Sequence, residues 1–277
     1  MKESLSIHIS DEEIQNLNKM IYIQYGYDFS DYSLASYKRR LSRIMINFKI
    51  LNLTDLEYKL VEDELFFNVF LEEVTVNVTE MFRDPDFYKC LRRDIIPQLS
   101  TYPMIRIWHA GCSTGEEVYS LAILLKEADL LKRSLLYATD INEDVLIKAK
   151  SGSFSLELMK EYNENYKNTG GLFDLSDYYT VKDDRAIFNE EFRNRMVFSP
   201  HNLIQDKSFN EFNLILCRNV LIYFNRDLQN RVIKLFSMSL SSFGYLALGS
   251  KETLELNGVN EEFELVNKQQ KIWKRKK

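Results

Sequence analysis

The run from Ile105 to Ser120 reads I-R-I-W-H-A-G-C-S-T-G-E-E-V-Y-S, and the fold follows from how it divides. Ile105, Ile107 and Trp108 are β-branched or aromatic and predict a short strand. Gly111 and Gly115 free the backbone, and Glu116 to Ala128 then reads as a helix. Strand, glycine turn and helix start make the first unit of a doubly wound α/β sheet, where ligands bind beyond the strand tips. The spacing A-G-x-x-x-G departs from the G-x-G-x-x-G of dinucleotide sites, and an ordinary strand-to-helix turn would also favour glycine. The loop alone therefore does not decide a ligand.

The next strand adds an acid. Leu135 to Ala138 are apolar and end in Thr139-Asp140, 25 residues after Gly115. A carboxylate at that tip can accept hydrogen bonds from both hydroxyls of a ribose, although an Asp before Asn142 and Glu143 could equally cap the next helix. Glu116 and Glu117 discriminate further. A pyrophosphate wants bare backbone N–H groups at the helix start, and two carboxylates there repel it. S-adenosylmethionine carries adenosine, an ammonium and a sulfonium and no phosphate, so the acids point to that cofactor.

Residues 1 to about 74 read as helical. Ser10-Asp11-Glu12-Glu13 is a capping signal, and Ile14, Leu17, Ile21 and Tyr25 follow at helical spacing up to Gly26. From Asp31 to Ile50, the residues Leu34, Tyr37, Leu41, Ile44 and Phe48 form an apolar stripe. Arg39, Arg40 and Arg43 are expected on the opposite face, with Lys38 and Lys49 at its margins. No acid occurs from Ser33 to Ile50, so this face is either solvated or turned to an acidic partner. Asp55 to Glu73 reads as acidic and helical, either balancing the basic face or solvated. Val74 to Thr79 is β-rich and short, and Asp84-Pro85 starts a helix running to Pro97.

Beyond the second strand, Asn142 to Lys150 predicts a short helix. Phe154 to Phe192 is too long for an ordinary connection, and Tyr178 to Val181 with Ala186 to Phe188 predict a hairpin inside it. Met196 to Ser199 and Phe212 to Cys217 are the third and fourth strands. His201-Asn202-Leu203 and Arg218-Asn219 follow their tips, where Asn202 and Leu203 could hold and cover an adenine edge. Asp227 to Ser239 is a helix, Tyr245 to Leu248 a fifth strand, and Phe263 to Val266 with Lys271 to Trp273 a closing hairpin. The tail Lys274 to Lys277 is expected to be solvated.

Composition removes other classes. With 277 residues, 45% hydrophobic and only 4 Pro and 9 Gly, the chain can bury a large core in long elements. A net charge of -5 and the absence of a proline-containing loop after the fourth strand argue against nucleic acid. Cys90, Cys112 and Cys217 have no C-x-x-C spacing, which predicts reduced thiols in a cytoplasm and no metal site. No signal segment and no run of about 18 apolar residues is present, so membrane insertion is not expected. Three His supply no catalytic triad.

Five segments in order, N-V-T-E-M-F-R at Asn77 to Arg83, W-H-A-G-C-S-T-G-E-E-V-Y-S, A-T-D at Ala138 to Asp140, H-N-L at His201 to Leu203, and C-R-N-V-L-I-Y-F at Cys217 to Phe224, resemble the CheR family of chemoreceptor glutamate methyltransferases. The resemblance implies an S-adenosylmethionine-dependent methyltransferase fold, a Rossmann-like doubly wound sheet with a small inserted antiparallel β-subdomain at about 154–192, preceded by a small all-α domain. It implies domains at 1–74 and 101–277, with a linker at 75–100 that helps build the active site. Asn77, Thr79, Arg83, Gly111, Glu117, Asp140, Asn202, Leu203, Arg218 and Asn219 are then the cofactor contacts. Arg83 and Tyr223 are the residues at the methyl-transfer centre; without the family Tyr223 reads as a packing aromatic. Lys38, Arg39, Arg40 and Arg43 are the expected recognition residues for the acidic cytoplasmic helices of a chemoreceptor. The implied products are a glutamyl methyl ester and S-adenosylhomocysteine, made by a monomer. His109, Val118 and Met81 depart from the family pattern. A methyltransferase of another substrate, or a non-catalytic cofactor-binding module, are the rival readings.

Overall fold

The computed structural model describes residues 9–75, 78–254 and 260–277. Contacts divide the chain into a helical unit, Met1–Asn77 together with Ile222–Arg231, and an α/β unit, Val78–Leu221 together with Val232–Lys277.

In the helical unit, Ser10 caps helix Asp11–Tyr25 in a reciprocal box with Glu13, and Gly26 ends it in the left-handed conformation. Ile14, Leu17 and Ile21 are buried from it, and Tyr37, Leu41, Ile44 and Met45 from helix Leu34–Asn47. The acidic stretch is two helices, Leu53–Glu62 and Glu64–Thr75, because Asp63 leaves helical geometry and its carboxylate accepts the Phe66 N–H at 3.0 Å. The expected strand after Val74 does not start there. Val74 is fully buried in the last turn, and Thr75 donates back to the Leu71 carbonyl at 2.7 Å, so packing overrides β propensity. Arg40 is a further correction: it is 5% exposed, and its guanidinium lies 3.9 Å from the Tyr223 ring centroid and donates to the Val74 carbonyl.

The α/β unit is built on strands β1 (Ile105–Ala110), β2 (Ser134–Asp140), β3 (Ser153–Ser155), β4 (Tyr179–Lys182), β5 (Arg185–Phe188), β6 (Met196–Pro200), β7 (Phe212–Cys217), β8 (Leu240–Leu248), β9 (Phe263–Asn267) and β10 (Ile272–Arg275). The main sheet has seven strands in the order β6-β2-β1-β7-β8-β10-β9. Pairings from β6 to β8 are parallel and the final hairpin is antiparallel. Every residue of β7 is buried, as a strand covered on both faces requires. The order reverses between β1 and β7, the position at which such sheets open a ligand crevice.

The insertion forms a second sheet, β3-β5-β4, in which the expected hairpin gains a third strand. It also carries helix Met159–Asn168, whose strongly polar exposed face masks the buried Met159, Tyr162 and Tyr166 in the sequence pattern. The helix expected from Asp84 to Pro97 is interrupted by a π turn at Leu91–Ile95. The tail is not wholly solvated: Lys274 and Arg275 belong to β10, and the Arg275 guanidinium donates to the Leu240 carbonyl.

Candidate active site

The glycine loop lies on the tip of β2. The Gly111 and Cys112 N–H groups donate to the Thr139 carbonyl at 2.8 and 2.9 Å, and Ser113 N–H donates to Asp140 Oδ2 at 2.9 Å. Gly111 has φ +77°, and a Cβ there would meet Val220 Cγ2 at 2.5 Å, so glycine is required both by conformation and by space. Asp140 is 7% exposed, and its other oxygen accepts the Asn142 N–H at 3.1 Å. Burial is the largest influence on it and raises its pKa above the ordinary aspartate value, against the pull of these N–H groups. Asp140 stands at the strand tip, but the alternative that it caps the next helix does not hold: the cap is Asn142, whose Oδ1 accepts the Asp144 N–H at 2.9 Å.

His201 N–H donates to the Asp140 carbonyl at 3.1 Å, which brings the H-N-L segment beside that acid. Asn202 is half-buried, and its Oδ1 accepts the Ile204 N–H at 2.9 Å; Leu203 is half-buried next to it. The His201 ring packs edge-on against Trp108, with Nε2 3.3 Å from the Lys207 carbonyl.

The two acids at the helix start face different surroundings. Glu116 is buried and accepts from the Thr114 hydroxyl at 2.6 Å, yet burial pushes its carboxyl up to about 7. For Glu117, burial also opposes ionisation, but His109 and Arg218 outweigh it and hold the carboxyl below the ordinary glutamate value. His109 Nδ1 stands 3.0 Å from Glu117 Oε1, so that nitrogen donates to the carboxylate. Arg218 reaches Glu117 Oε2 at 3.3 Å, pairs with Asp84 at 2.5 Å, and lies 4.0 Å from the Phe87 ring centroid. His109, one of the residues that depart from the family pattern, is the fully buried end of a polar line that runs through Glu117 and Arg218 to Asp84.

Asn219 is held at φ +63°. Its N–H donates to the Glu252 carboxylate at 3.1 Å, and the same oxygen accepts the Gly249 N–H. Glu252 is 5% exposed, and a Cβ on Gly249 would meet Asn219 N at 2.8 Å. The sequence reading did not find Glu252. Its available signal was a lone acid after the glycine that ends the fifth strand.

Asn77 lies outside the described residues. Thr79 and Arg83 are half-buried in irregular backbone, and Arg83 makes a long 3.5 Å contact to the Val78 carbonyl and no ion pair among the described residues. The α/β unit thus brings Gly111, Glu117, Asp140, Asn202, Leu203, Arg218 and Asn219 to the tips of adjacent strands. Tyr223 belongs to the helical unit, where its carbonyl accepts the Ser33 N–H at 2.8 Å. In that unit Lys38 pairs with Asp11 at 2.6 Å, Arg43 pairs with Glu73 at 2.7 Å, and Arg39 is exposed.

A ligand on these tips would meet carboxylates and amides rather than a phosphate cradle. The set suits ribose hydroxyls and an ammonium. Among the described residues no group of three His, Cys, Asp or Glu could hold a metal ion, and no described helix is long and apolar enough to cross a membrane.

Comparisons with known proteins agree with this chemistry. Residues 77–272 match the family described as CheR methyltransferase, SAM binding domain, and residues 12–75 match CheR methyltransferase, all-alpha domain. A Pseudomonas putida protein named Cher3 is 45% identical over 96% of this chain and 97% of its own length. A chemotaxis protein methyltransferase of Listeria innocua is 30% identical over 83% of this chain and 85% of its own. A 104.1 kDa protein of Rhodobacter capsulatus is 29% identical over 89% of this chain and only 26% of its own length.

Proposed function

The chain belongs to the CheR methyltransferase family, and on that premise we propose that it methylates glutamate side-chain carboxylates of chemoreceptors, forming glutamyl methyl esters and S-adenosylhomocysteine. S-adenosylmethionine supplies an electrophilic methyl group on a sulfonium. The observation that carries the reading is the acidic strand-tip site, with Asp140 and Glu117 beside a glycine loop. A carboxylate is already a nucleophile near neutral pH, so the reaction needs in-line placement and exclusion of water rather than a general base. His109 is committed to Glu117 and His201 to the protein interior, which fits that requirement.

In this reading Asp140 accepts from the ribose hydroxyls, and Asn202 and Leu203 bound the adenine. Glu117, kept ionised by His109 and Arg218, faces the cationic end of the cofactor. Thr79, Gly111 and Asn219 complete its walls; the family resemblance adds Asn77, which lies outside the described residues. Arg83 and Tyr223 orient the substrate carboxylate and the methyl donor by hydrogen bonds. No residue is assigned a metal. Arg39 is the exposed cation offered to the receptor helices, with Lys38 and Arg43 available by exchange of their internal partners; Arg40 supports Tyr223 instead. The enzyme works as a monomer on the cytoplasmic part of the receptor.

The test is methyl transfer from labelled S-adenosylmethionine to membranes carrying the organism's chemoreceptors, followed by alkali. Release of labelled methanol is expected. If no label transfers while S-adenosylhomocysteine binds, the glutamate assignment fails; if S-adenosylhomocysteine does not bind either, the site assignment fails with it.

A further inference from the structure

Arg83 is flanked by two residues in a conformation that L side chains rarely adopt, Phe82 at φ +54° and Asp84 at φ +58°. Such backbone persists only where its surroundings over-determine it. Part of that hold comes from the body of the α/β unit: the Phe82 N–H donates to Ser120 Oγ at 3.0 Å, and Asp84 pairs with Arg218 at 2.5 Å. The remainder comes from the insertion. Asn165 Nδ2 donates to the Met81 carbonyl at 3.2 Å, and the Tyr166 ring lies 5.1 Å from the Phe82 ring, both rings fully buried. Glu161, one turn earlier on the same helix, shares a hydrogen bond with Glu80; burial first and this acid second raise the Glu80 pKa. Linker residues 80, 81 and 82 thus meet helix residues 161, 165 and 166 in succession.

The helix is itself anchored. The Tyr166 and Tyr178 hydroxyls both donate to Glu127, Tyr178 at 2.9 Å, and the half-buried Arg92 forms an ion pair with the same carboxylate. Tyr178 stands at the entry to β4, so the edge of the small sheet and the linker share one anchor.

We propose that helix Met159–Asn168 of the insertion is the brace that sets Arg83, with Asn165 and Tyr166 as positioning residues that act through the Met81–Asp84 backbone. The inference rests on Arg83 being a cofactor contact. A flexible linker would leave the guanidinium to be ordered at the moment of binding, and that ordering would appear as lost affinity. The brace makes the insertion a determinant of cofactor affinity, whatever else docks on its surface.

The experiment is S-adenosylhomocysteine affinity by calorimetry for Asn165→Ala in the natural and the Arg83→Ala backgrounds. Asn165 is half-buried, so its truncation leaves the core intact. Asn165→Ala is expected to weaken binding about fivefold alone and less than about twofold when Arg83 is already absent, the non-additivity of residues acting through one another. Tyr166→Leu, which takes the ring off Phe82, should lose about as much as Asn165→Ala. Equal losses in both backgrounds, or no loss from Asn165→Ala, overturn the brace. Unchanged affinity of Arg83→Ala alone removes Arg83 from the cofactor site, and the brace with it.

Discussion

The eight residues Cys217 to Phe224 are secured in two different ways. Arg218 and Asn219 belong to the α/β unit and are held by charge, Arg218 between Asp84 and Glu117, and Asn219 by Glu252. Tyr223 and Phe224 belong to the helical unit and are held by rings: Arg40 covers Tyr223, and Tyr32 lies 5.4 Å from Phe224. Each half contains a buried arginine, but Arg218 has carboxylate partners while Arg40 has a π face and a backbone carbonyl. For Arg40, burial is the leading influence and lowers its pKa; the aromatic hydroxyl groups of Tyr223 and Tyr32 only offset it. An arginine locked by acids fixes direction, because paired N–H groups and oxygens must align. One laid on a ring fixes only a plane, which leaves a tyrosine hydroxyl able to meet a substrate.

That contrast can be broken most directly at Arg218. Arg218→Met should lower the unfolding free energy of the α/β unit by about 3 kcal/mol or more, since it strands Glu117 without its guanidinium. Denaturant unfolding checks this, and a cost no greater than that of Arg40→Met would erase the distinction.

Next in size is the effect of Glu116, the acid that precedes Glu117 at the start of the helix. Burial raises its pKa from the ordinary 4.5 to about 7, so its contribution to stability is full below about pH 4.5 and is lost as pH rises through 7. Glu116→Gln should therefore remove this fall and stabilise the cofactor-free protein at pH 8 by on the order of 3 kcal/mol. Parallel stability curves for the two proteins between pH 4.5 and 8 would show that the carboxyl is not buried as described.

In the ring-held half, Arg40→Met should cost about 1 to 2 kcal/mol through loss of the cation–π contact and the bond to the Val74 carbonyl. Thermal unfolding reads it. The smallest structural effect belongs to Tyr223→Phe, which keeps the ring under Arg40 and should change stability by less than about 0.5 kcal/mol. Turnover should nevertheless fall about tenfold, equal to ~1.4 kcal/mol, with S-adenosylhomocysteine affinity unchanged. Full activity would return Tyr223 to packing alone.

Legibility in the sequence followed the range of the interactions. β7 was read to the residue, because Phe212 to Cys217 is a continuous apolar run between polar segments. The capping box at Ser10 and the turn at Gly111 were equally plain, since their causes lie within a few residues. Helix Met159–Asn168 was missed because its buried residues are scattered among Lys, Glu and Asn. The basic helix was misread at Arg40 for a different reason. Amphipathic spacing places an arginine on a face, but its partners, the Val74 carbonyl and Tyr223, lie far along the chain. Glu252 escaped for the same cause, having its ligand loop 33 residues away at Asn219.

By itself the sequence determined the strand, glycine turn and helix at Ile105 to Ser120, the acid at Asp140, the helical start of the chain and the family to which these belong. Those depend on backbone preference and hydrophobic period, which are local. Only the tertiary structure decided that Glu117 is flanked by His109 and Arg218, that Asp140 is already engaged by the glycine loop, that the C-R-N-V-L-I-Y-F run is divided between two units, and that the insertion meets the linker beside Arg83. Ion pairing, burial and braced backbone join residues distant in the chain, and a one-dimensional pattern records the residue types without recording which of them meet.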